Sequence, residues 1–284
     1  MSVLLSLFLG LVQGITEFLP ISRSGHVSIL QNLFGLDYSD WDYPLLAALL
    51  RLASIVSICV VYKDEVRAMV SDGVDFLRRR GDSGSDEPII MKPPARALLF
   101  VFIGTIPMVL AVFFIGIFSR LAENTGFVGF SMLITGSLVF VSSKYIKKGK
   151  MTEKTMSITD AFIIGLAQSV AVLIPGLSRC ATGISVGRAR GLSGGFAIRF
   201  SILLTVPVMF GHTIVSLYMA VSRDIDSFSD FFVYIVGFVV AAIAGFFTIQ
   251  TLRRMMAKDS FGNFAYYAWG IGALALILSF VLGS

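Results

Sequence analysis

The sequence predicts an all-α integral membrane protein with about six transmembrane helices and two re-entrant broken-helix hairpins. The 284 residues are 56% hydrophobic and 14% charged, whereas soluble chains carry about 25% charged residues. Apolar stretches of about 20 residues, long enough to cross a bilayer as helices, recur along the chain. They cover 43–62, 97–118, 126–143, 197–221, 231–252 and 264–282.

Basic residues are concentrated in three of the connections between these stretches. Of the 23 Lys and Arg, seven fall in 63–96, five in 144–154 and three in 253–258. Because basic connections stay in the cytoplasm, we expect a multi-pass protein of the plasma membrane with a cytoplasmic loop over about 63–95. Both termini are then outside. The charge sets the orientation, and nucleic acid is excluded as a partner despite the net charge of +5.

Two further apolar segments, 1–37 and 158–195, must each return to the side from which they enter, because otherwise the alternation of sides fails. We expect each to be a hairpin of two half-helices with a break at membrane depth. Such irregular backbone is tolerated only where protein buries it or water reaches it.

Within 63–95, residues 78–88 are expected to form a flexible polar loop beside a short amphipathic interfacial helix.

An internal repeat relates the two hairpins. "GLVQGITEFLP" begins at Gly10 and "GLAQSVAVLIP" at Gly165, and in both a proline follows the glycine by ten residues. Each proline is followed by Ser-Arg. We interpret the chain as one membrane domain with an inverted repeat, over about 1–143 and 158–284, although chance similarity of two apolar segments is the alternative. In inverted repeats the site lies near the midplane, where broken helices meet.

Four arginines occupy corresponding positions in the two copies, and we expect them to face one interior. They are Arg23 and Arg51 in the first copy, and Arg179 and Arg199 in the second. A guanidinium matches phosphate oxygens in shape and keeps its charge, and the half-helix N-termini also favour anions. The pattern predicts a phosphate or diphosphate site, unless the arginines are structural.

A carboxylate and an imidazole share the first break. Glu17 is either a counter-ion for an arginine, or a ligand of Mg²⁺ or Ca²⁺, or a general base. His26 is a candidate nucleophile or proton-transfer group, the alternative being a simple hydrogen-bonding role. A charged residue at membrane depth is costly and usually marks function.

"QGITEFLPISRSGH" and "PGLSRCATGIS" resemble the two signatures of the undecaprenyl-diphosphate phosphatase (bacitracin-resistance) family. The resemblance extends over the length of the chain. It implies a membrane enzyme that hydrolyses a polyprenyl diphosphate to the monophosphate and inorganic phosphate, so recycling the lipid carrier of cell-wall biogenesis. It also implies a site that faces the outer side and a need for a divalent cation, Mg²⁺ or Ca²⁺.

The residue pattern and the resemblance together give candidate roles for individual residues, and the resemblance itself carries over Glu17, His26, Ser178 and Arg179. The catalytic candidates are Glu17, His26 and Arg179, and the candidate metal ligands are Glu17 and Gln13. The candidate substrate-binding residues are Ser22, Arg23, Ser24, Ser178, Thr182 and Arg51.

The chain departs from the family pattern at several of these positions. Gln13 stands where the family has its first glutamate, Arg23 where it has a serine, and Arg51 where glutamine is common. Cys180 replaces a serine, and Thr182 falls one residue early. Because one carboxylate is lost and two arginines are gained, a transporter or flippase of polyprenyl phosphate, or of another phosphate-bearing substrate, is the alternative function.

Two remaining features concern assembly. Cys59 and Cys180 lie far apart in apolar surroundings, so neither a disulfide framework nor a metal cluster is expected. The small residues of "GFVVAAIAGFF" at 237–247 permit close helix contact, which makes a homodimer possible.

Overall fold

The computed structural model describes residues 1–34, 43–81, 91–223 and 228–282, and these are folded almost entirely into helices. The predicted all-α fold is therefore confirmed. In chain order the helices are α1 (Val3–Thr16), α2 (Arg23–Phe34), α3 (Pro44–Val61), α4 (Lys63–Gly81), α5 (Pro93–Val112), α6 (Ile115–Phe118), α7 (Thr125–Lys144), α8 (Ile158–Leu173), α9 (Arg179–Ala189), α10 (Gly194–Arg223), α11 (Phe228–Ala257) and α12 (Asn263–Leu282).

Within the described ranges, six helices are long and apolar enough to cross a membrane, as the sequence predicts. They are α3, α5, α7, α10, α11 and α12. The largest difference in bounds is at α5, which was expected over 97–118. It begins earlier, at Pro93, because proline suits the first turn of a helix. It ends at Val112, where the N–H of Phe113 bonds the carbonyl of Leu110 and the chain turns into the short α6.

The cytoplasmic connection expected over 63–95 is more helical than predicted. The helix α4 runs on to Gly81, so the basic residues at 78–80 belong to the helix, while 82–90 lie outside the described residues. Met69 of α4 is buried in the core, whereas Val70, Val74 and Leu77 are exposed. An amphipathic helix with an uncovered apolar side suits a membrane interface.

Among the described residues, three pairs of helices approach each other through a glycine on each side. A Cβ added at Gly10 would lie only 2.5 Å from the carbonyl oxygen of Gly237, and small residues permit such close packing between membrane helices. The contacts join α1 to α11, α8 to α5, and α7 to α12, through the pairs Gly10–Gly237, Gly165–Gly104 and Gly129–Gly272.

Equivalent residues of the two proposed repeats make equivalent contacts. Gly10 and Gly165, the first residues of the matching motifs, both pack on a glycine of a spanning helix. Three residues later, the glutamine amide of one motif donates to Ser54 of α3 and that of the other to Ser201 of α10, each over 2.9 Å. These parallels support the repeat, and insertion of the copies in opposite directions stays a prediction.

The small residues at 237–247 are used inside the chain. Gly237 packs on the Ser6 side chain of α1, and Gly245 packs on Ser57 of α3. The surface that suggested a homodimer is therefore occupied by helices of the same chain. The homodimer stays a prediction without this support.

Candidate functional site

Both predicted helix breaks are present. The first separates α1 from α2, the second separates α8 from α9, and each contains a proline, which cannot continue a helix without losing a hydrogen bond. The chain turns through left-handed backbone in both, with φ of 70° at Ser22 and 91° at Gly176. Such a φ is strained for a serine, and strained backbone clusters at functional sites.

The two Ser-Arg dipeptides play the same structural part. The hydroxyl of Ser22 accepts from the N–H of Gly25 over 3.1 Å, and that of Ser178 accepts from the N–H of Ala181 over 3.2 Å. Each serine thus caps a half-helix of which the following arginine is the first residue. Other N–H groups of a first helical turn lack intrahelical partners and carry partial positive charge.

The two breaks meet. The N–H of Gly176 donates to the hydroxyl of Ser24 over 3.2 Å, and the thiol of Cys180 donates to the carbonyl of Phe18 over 2.8 Å. Thr135 of α7 also binds the second break. Its hydroxyl donates to the carbonyl of Gly176 and accepts from the N–H of Ser178, both over 3.0 Å. Residues more than 150 positions apart therefore form one site.

Glu17 lies between the two arginines that begin the second half-helices. Its Oε1 is 2.5 Å from Nη2 of Arg179, and its Oε2 is 3.8 Å from Nε of Arg23. The Glu17 side chain is 5% exposed, whereas about a fifth of each arginine side chain is exposed. One carboxylate between two guanidiniums leaves a net positive charge, so an anion is attracted to the exposed sides of the arginines.

The other two arginines do not join this cluster, contrary to the expectation that all four face one interior. Arg51 donates to the hydroxyl of Ser216 over 2.8 Å. Arg199 lies 2.8 Å from a carboxylate oxygen of Glu153 and 3.8 Å from one of Glu65. Arg51 of α3 thus contacts α10, on which α3 packs. Arg199 of α10 contacts α4 and the connection between α7 and α8.

His26 is held by two hydrogen bonds. Its Nδ1 lies 2.7 Å from the carbonyl oxygen of Ser22, and its Nε2 lies 2.9 Å from the hydroxyl of Tyr267. A carbonyl only accepts, so Nδ1 carries the proton and Nε2 of the neutral ring is an acceptor. The two rings are also stacked, with centroids 5.7 Å apart.

Tyr267 is a site residue that the sequence analysis missed. It lies on α12, 241 positions after His26, and no local pattern links the two. The available signal was "YY" at 266–267, since phenol hydroxyls in an otherwise apolar helix need polar partners.

The candidate substrate-binding hydroxyls differ in whether they already have hydrogen-bond partners within the protein. Ser22 and Ser178 cap helices, and Ser24 receives the N–H of Gly176. The hydroxyl of Thr182 is buried, and within the described ranges it has no hydrogen-bond partner. A buried polar group without a partner is costly, so Thr182 is the hydroxyl most available to a ligand.

Comparison with known proteins gives the family. The model of the family described as "Bacitracin resistance protein BacA" matches residues 6–274. The chain belongs to the BacA family. It is 31% identical to Undecaprenyl-diphosphatase 1 of Shouchella clausii over 100% of this chain and 99% of the relative, and 32% identical to Undecaprenyl-diphosphatase of Halothermothrix orenii over 98% and 99%. A third relative, Undecaprenyl-diphosphatase of Methanobrevibacter smithii, is 30% identical over 98% of each chain.

In this BacA-family chain, Gln13 and Glu17 are the candidate ligands of a divalent cation. In the described parts of the chain, three or more His, Cys, Asp or Glu side chains nowhere lie together. The Gln13 amide nitrogen is 3.3 Å from Oε2 of Glu17, and its buried Oε1 has no partner among the described residues. Mg²⁺ often takes one or two protein ligands and completes its shell with water and substrate phosphates. The nitrogen of the Gln13 amide faces Glu17, so the pair fits a cation that binds together with a diphosphate once the amide is turned over and Oε1 faces the carboxylate.

Proposed function

We propose that this protein hydrolyses a polyprenyl diphosphate of the undecaprenyl type to the monophosphate and inorganic phosphate, and so recycles a lipid carrier. The observation that carries the proposal is the position of Glu17 between Arg179 and Arg23, where the two breaks meet. The names of the relatives support this activity, and they do not favour the transporter alternative. The bilayer itself would hold the prenyl chain.

Substrate binding would use the positive tip of each half-helix. The exposed sides of Arg23 and Arg179 would take oxygens of the terminal phosphate, as guanidiniums bind phosphate in a bidentate manner. The unpaired N–H groups of the two first turns and the free hydroxyl of Thr182 would add further donors. When the phosphate takes the fork of Arg179, Glu17 loses its shortest ion pair, and its Oε1 becomes available.

The chemistry would proceed in two displacements. Nε2 of His26 gives up its hydrogen bond from the Tyr267 hydroxyl, and its lone pair attacks the terminal phosphorus. The bond to the bridging oxygen breaks with release of the polyprenyl monophosphate. Water then attacks the same phosphorus, the P–N bond breaks, and Glu17 accepts the proton of that water. The two guanidiniums stabilise the charge on the phosphoryl oxygens in both steps.

A Mg²⁺ or Ca²⁺ ion held by Glu17 and Oε1 of Gln13 would supply further neutralisation of the phosphate charge. The nucleophile, the general base and the stabilising cations in the two displacements are all side chains of the protein. We also propose that the basic connections lie in the cytoplasm and that the site and both termini face outward, as the charge distribution suggests.

Release of inorganic phosphate from farnesyl diphosphate by the purified protein in Mg²⁺ tests the function. We expect the wild type to release phosphate, and we expect Glu17→Gln and His26→Ala each to abolish this turnover. With substrate labelled on the terminal phosphate, Glu17→Gln should accumulate an acid-labile phosphoprotein and His26→Ala should form none. No phosphate release by the wild type over a range of metals and pH would overturn the hydrolase proposal. Release without any labelled protein would overturn the role of His26 alone.

A further inference from the structure

A second cationic pocket lies at the opposite end of α9 from the Glu17 site. It has a volume of about 230 Å³ and is formed where α7 and α11 end and α12 begins. The volume is several times the roughly 30 Å³ that a water molecule occupies in the liquid. Three basic side chains line it, Lys147, Lys148 and Arg188, together with the carboxylate of Asp259.

Arg188 is the unusual member of this pocket. It is 8% exposed, and within the described ranges its side chain has neither a hydrogen bond nor an ion pair. Arg190, two residues later, shows the ordinary arrangement, since its Nη2 lies 2.7 Å from Oδ1 of Asp160. The carboxylate of Asp259 is near enough to act on the charge of Arg188, but it makes no direct ion pair with it. A largely buried charge that is only partly compensated is unfavourable, which favours an anion in the pocket.

The carboxylate of Asp259 compensates the charge of Arg188 only in part. Oδ2 of Asp259 lies 2.6 Å from Nζ of Lys148, so this pair is already matched. Lys147 and Arg188 remain, and the pocket carries a net charge of about +2 when three cations are set against one carboxylate. A pocket with one guanidinium, two ammonium groups and a single carboxylate suits a phosphate group.

The place of the pocket in the fold indicates the source of the phosphate. Ser143 and Met256 of the lining lie in the last turns of the spanning helices α7 and α11, and most of the other lining residues lie in the connections that follow these two helices. The ends of spanning helices are at the level of lipid headgroups. Apolar side chains, Ile146, Met256 and Phe261, complete the lining. Basic pockets between spanning helices on the cytoplasmic side are suited to anionic headgroups.

We propose that the pocket of Lys147, Lys148 and Arg188 is a binding site for a phosphate group, carried by an anionic phospholipid of the adjacent leaflet. The site is separate from the catalytic cluster, because Arg188 follows Arg179 by nine residues in α9, which corresponds to about 13 Å along the helix. The proposal does not depend on the hydrolase activity.

Thermal unfolding of the purified full-length protein in lipid nanodiscs tests the proposal. Phosphatidylglycerol, added to phosphatidylcholine, should raise the unfolding midpoint of the wild type, and native mass spectrometry should retain a bound phosphatidylglycerol. Lys147→Gln should weaken both effects and Arg188→Gln should remove them. The matched control is Lys150→Gln, which removes an exposed charge from the same connection outside the pocket.

Two further measurements decide whether the pocket binds phosphate and from which source. Lys147 is exposed, so Lys147→Gln serves even where Arg188→Gln fails to fold, and its phosphate release from farnesyl diphosphate should equal that of the wild type. Protection by orthophosphate in lipid-free detergent would support the phosphate site and assign it to a soluble source. The proposal is overturned if neither orthophosphate nor phosphatidylglycerol protects the wild type, or if Lys147→Gln and Lys150→Gln respond alike.

Discussion

Nη2 of Arg179 lies 2.5 Å from Oε1 of Glu17, although 162 positions separate the two residues in the chain. The contact exists because the two helix breaks are held together at Gly176 and Phe18. Loss of one partner of a buried ion pair leaves the other charge uncompensated. Binding of a phosphate at Arg179, as proposed, would therefore change the state of Glu17, and this relationship underlies the first two predictions.

Glu17→Gln should lower phosphate release by at least about a hundredfold, the usual scale for loss of a general base. Binding of diphosphate should persist or tighten, because the two guanidiniums no longer have a competing carboxylate. Phosphate release and calorimetric titration with a non-hydrolysable diphosphate analogue measure the two quantities. The control is Glu123→Gln, an exposed carboxylate beside α7. Near-normal turnover in Glu17→Gln would contradict the role assigned to this carboxylate.

Arg179→Lys should reduce kcat/KM by about 10²–10³, as removal of a donor to developing charge does in other enzymes. An ammonium keeps the charge but loses the fork that holds two oxygens. Arg23→Lys should cost less, because its Nε is 3.8 Å from Glu17 rather than in direct contact. Kinetics on farnesyl diphosphate compare the two variants, and an equal or reversed order would show that the arginines have other roles.

Tyr267→Phe removes the hydroxyl that contacts Nε2 of His26 and keeps the stacked ring. We expect kcat to fall about tenfold with little change in KM, on the scale of one hydrogen bond lost, because the imidazole is then less well positioned. Tyr266→Phe is the matched control, since that ring contacts Phe140 and Trp269. If both variants behave alike, Tyr267 does not position His26.

Gln13→Glu places a second carboxylate beside Glu17. We expect half-maximal activity at a lower Mg²⁺ concentration, because hard cations prefer carboxylate oxygens. Gln13→Leu removes the free Oε1 and should raise the Mg²⁺ requirement. Titration of phosphate release with Mg²⁺ at saturating substrate measures the change. A Mg²⁺ dependence that is identical in wild type and both variants would exclude Gln13 as a ligand.

Gly10→Ala tests the close packing of α1 on α11. The added methyl would lie 2.5 Å from the carbonyl oxygen of Gly237, and overpacking of this kind costs about 1–3 kcal/mol. The unfolding midpoint in detergent should therefore fall. Gly270→Ala is the control, because a Cβ at that position meets no atom within 4 Å. Equal midpoints for the two variants would show that the helices can separate without cost.

Several features could be predicted from the sequence because each depends on a short stretch of chain. The spans follow from apolar runs that are long enough to cross a bilayer, and five of the six agree with the structure to within about five residues at each end. The breaks follow from Pro20 and Pro175. An ion pair with an arginine is one of the interpretations that the sequence gives for Glu17. In contrast, α4 was underestimated, because its polar composition concealed a continuous helix.

The composition and the motifs thus predicted a helical membrane protein with two Ser-Arg tips, which the structure has, and a preference for phosphate, which stays a prediction; these properties reside in local residue types. The folded arrangement decided which arginines share a carboxylate. It separated Arg51 and Arg199 from the Glu17 cluster, brought Tyr267 to His26, and buried Arg188 in a cationic pocket. Such pairings depend on how distant helices pack against one another, and no pattern within a single segment encodes that packing.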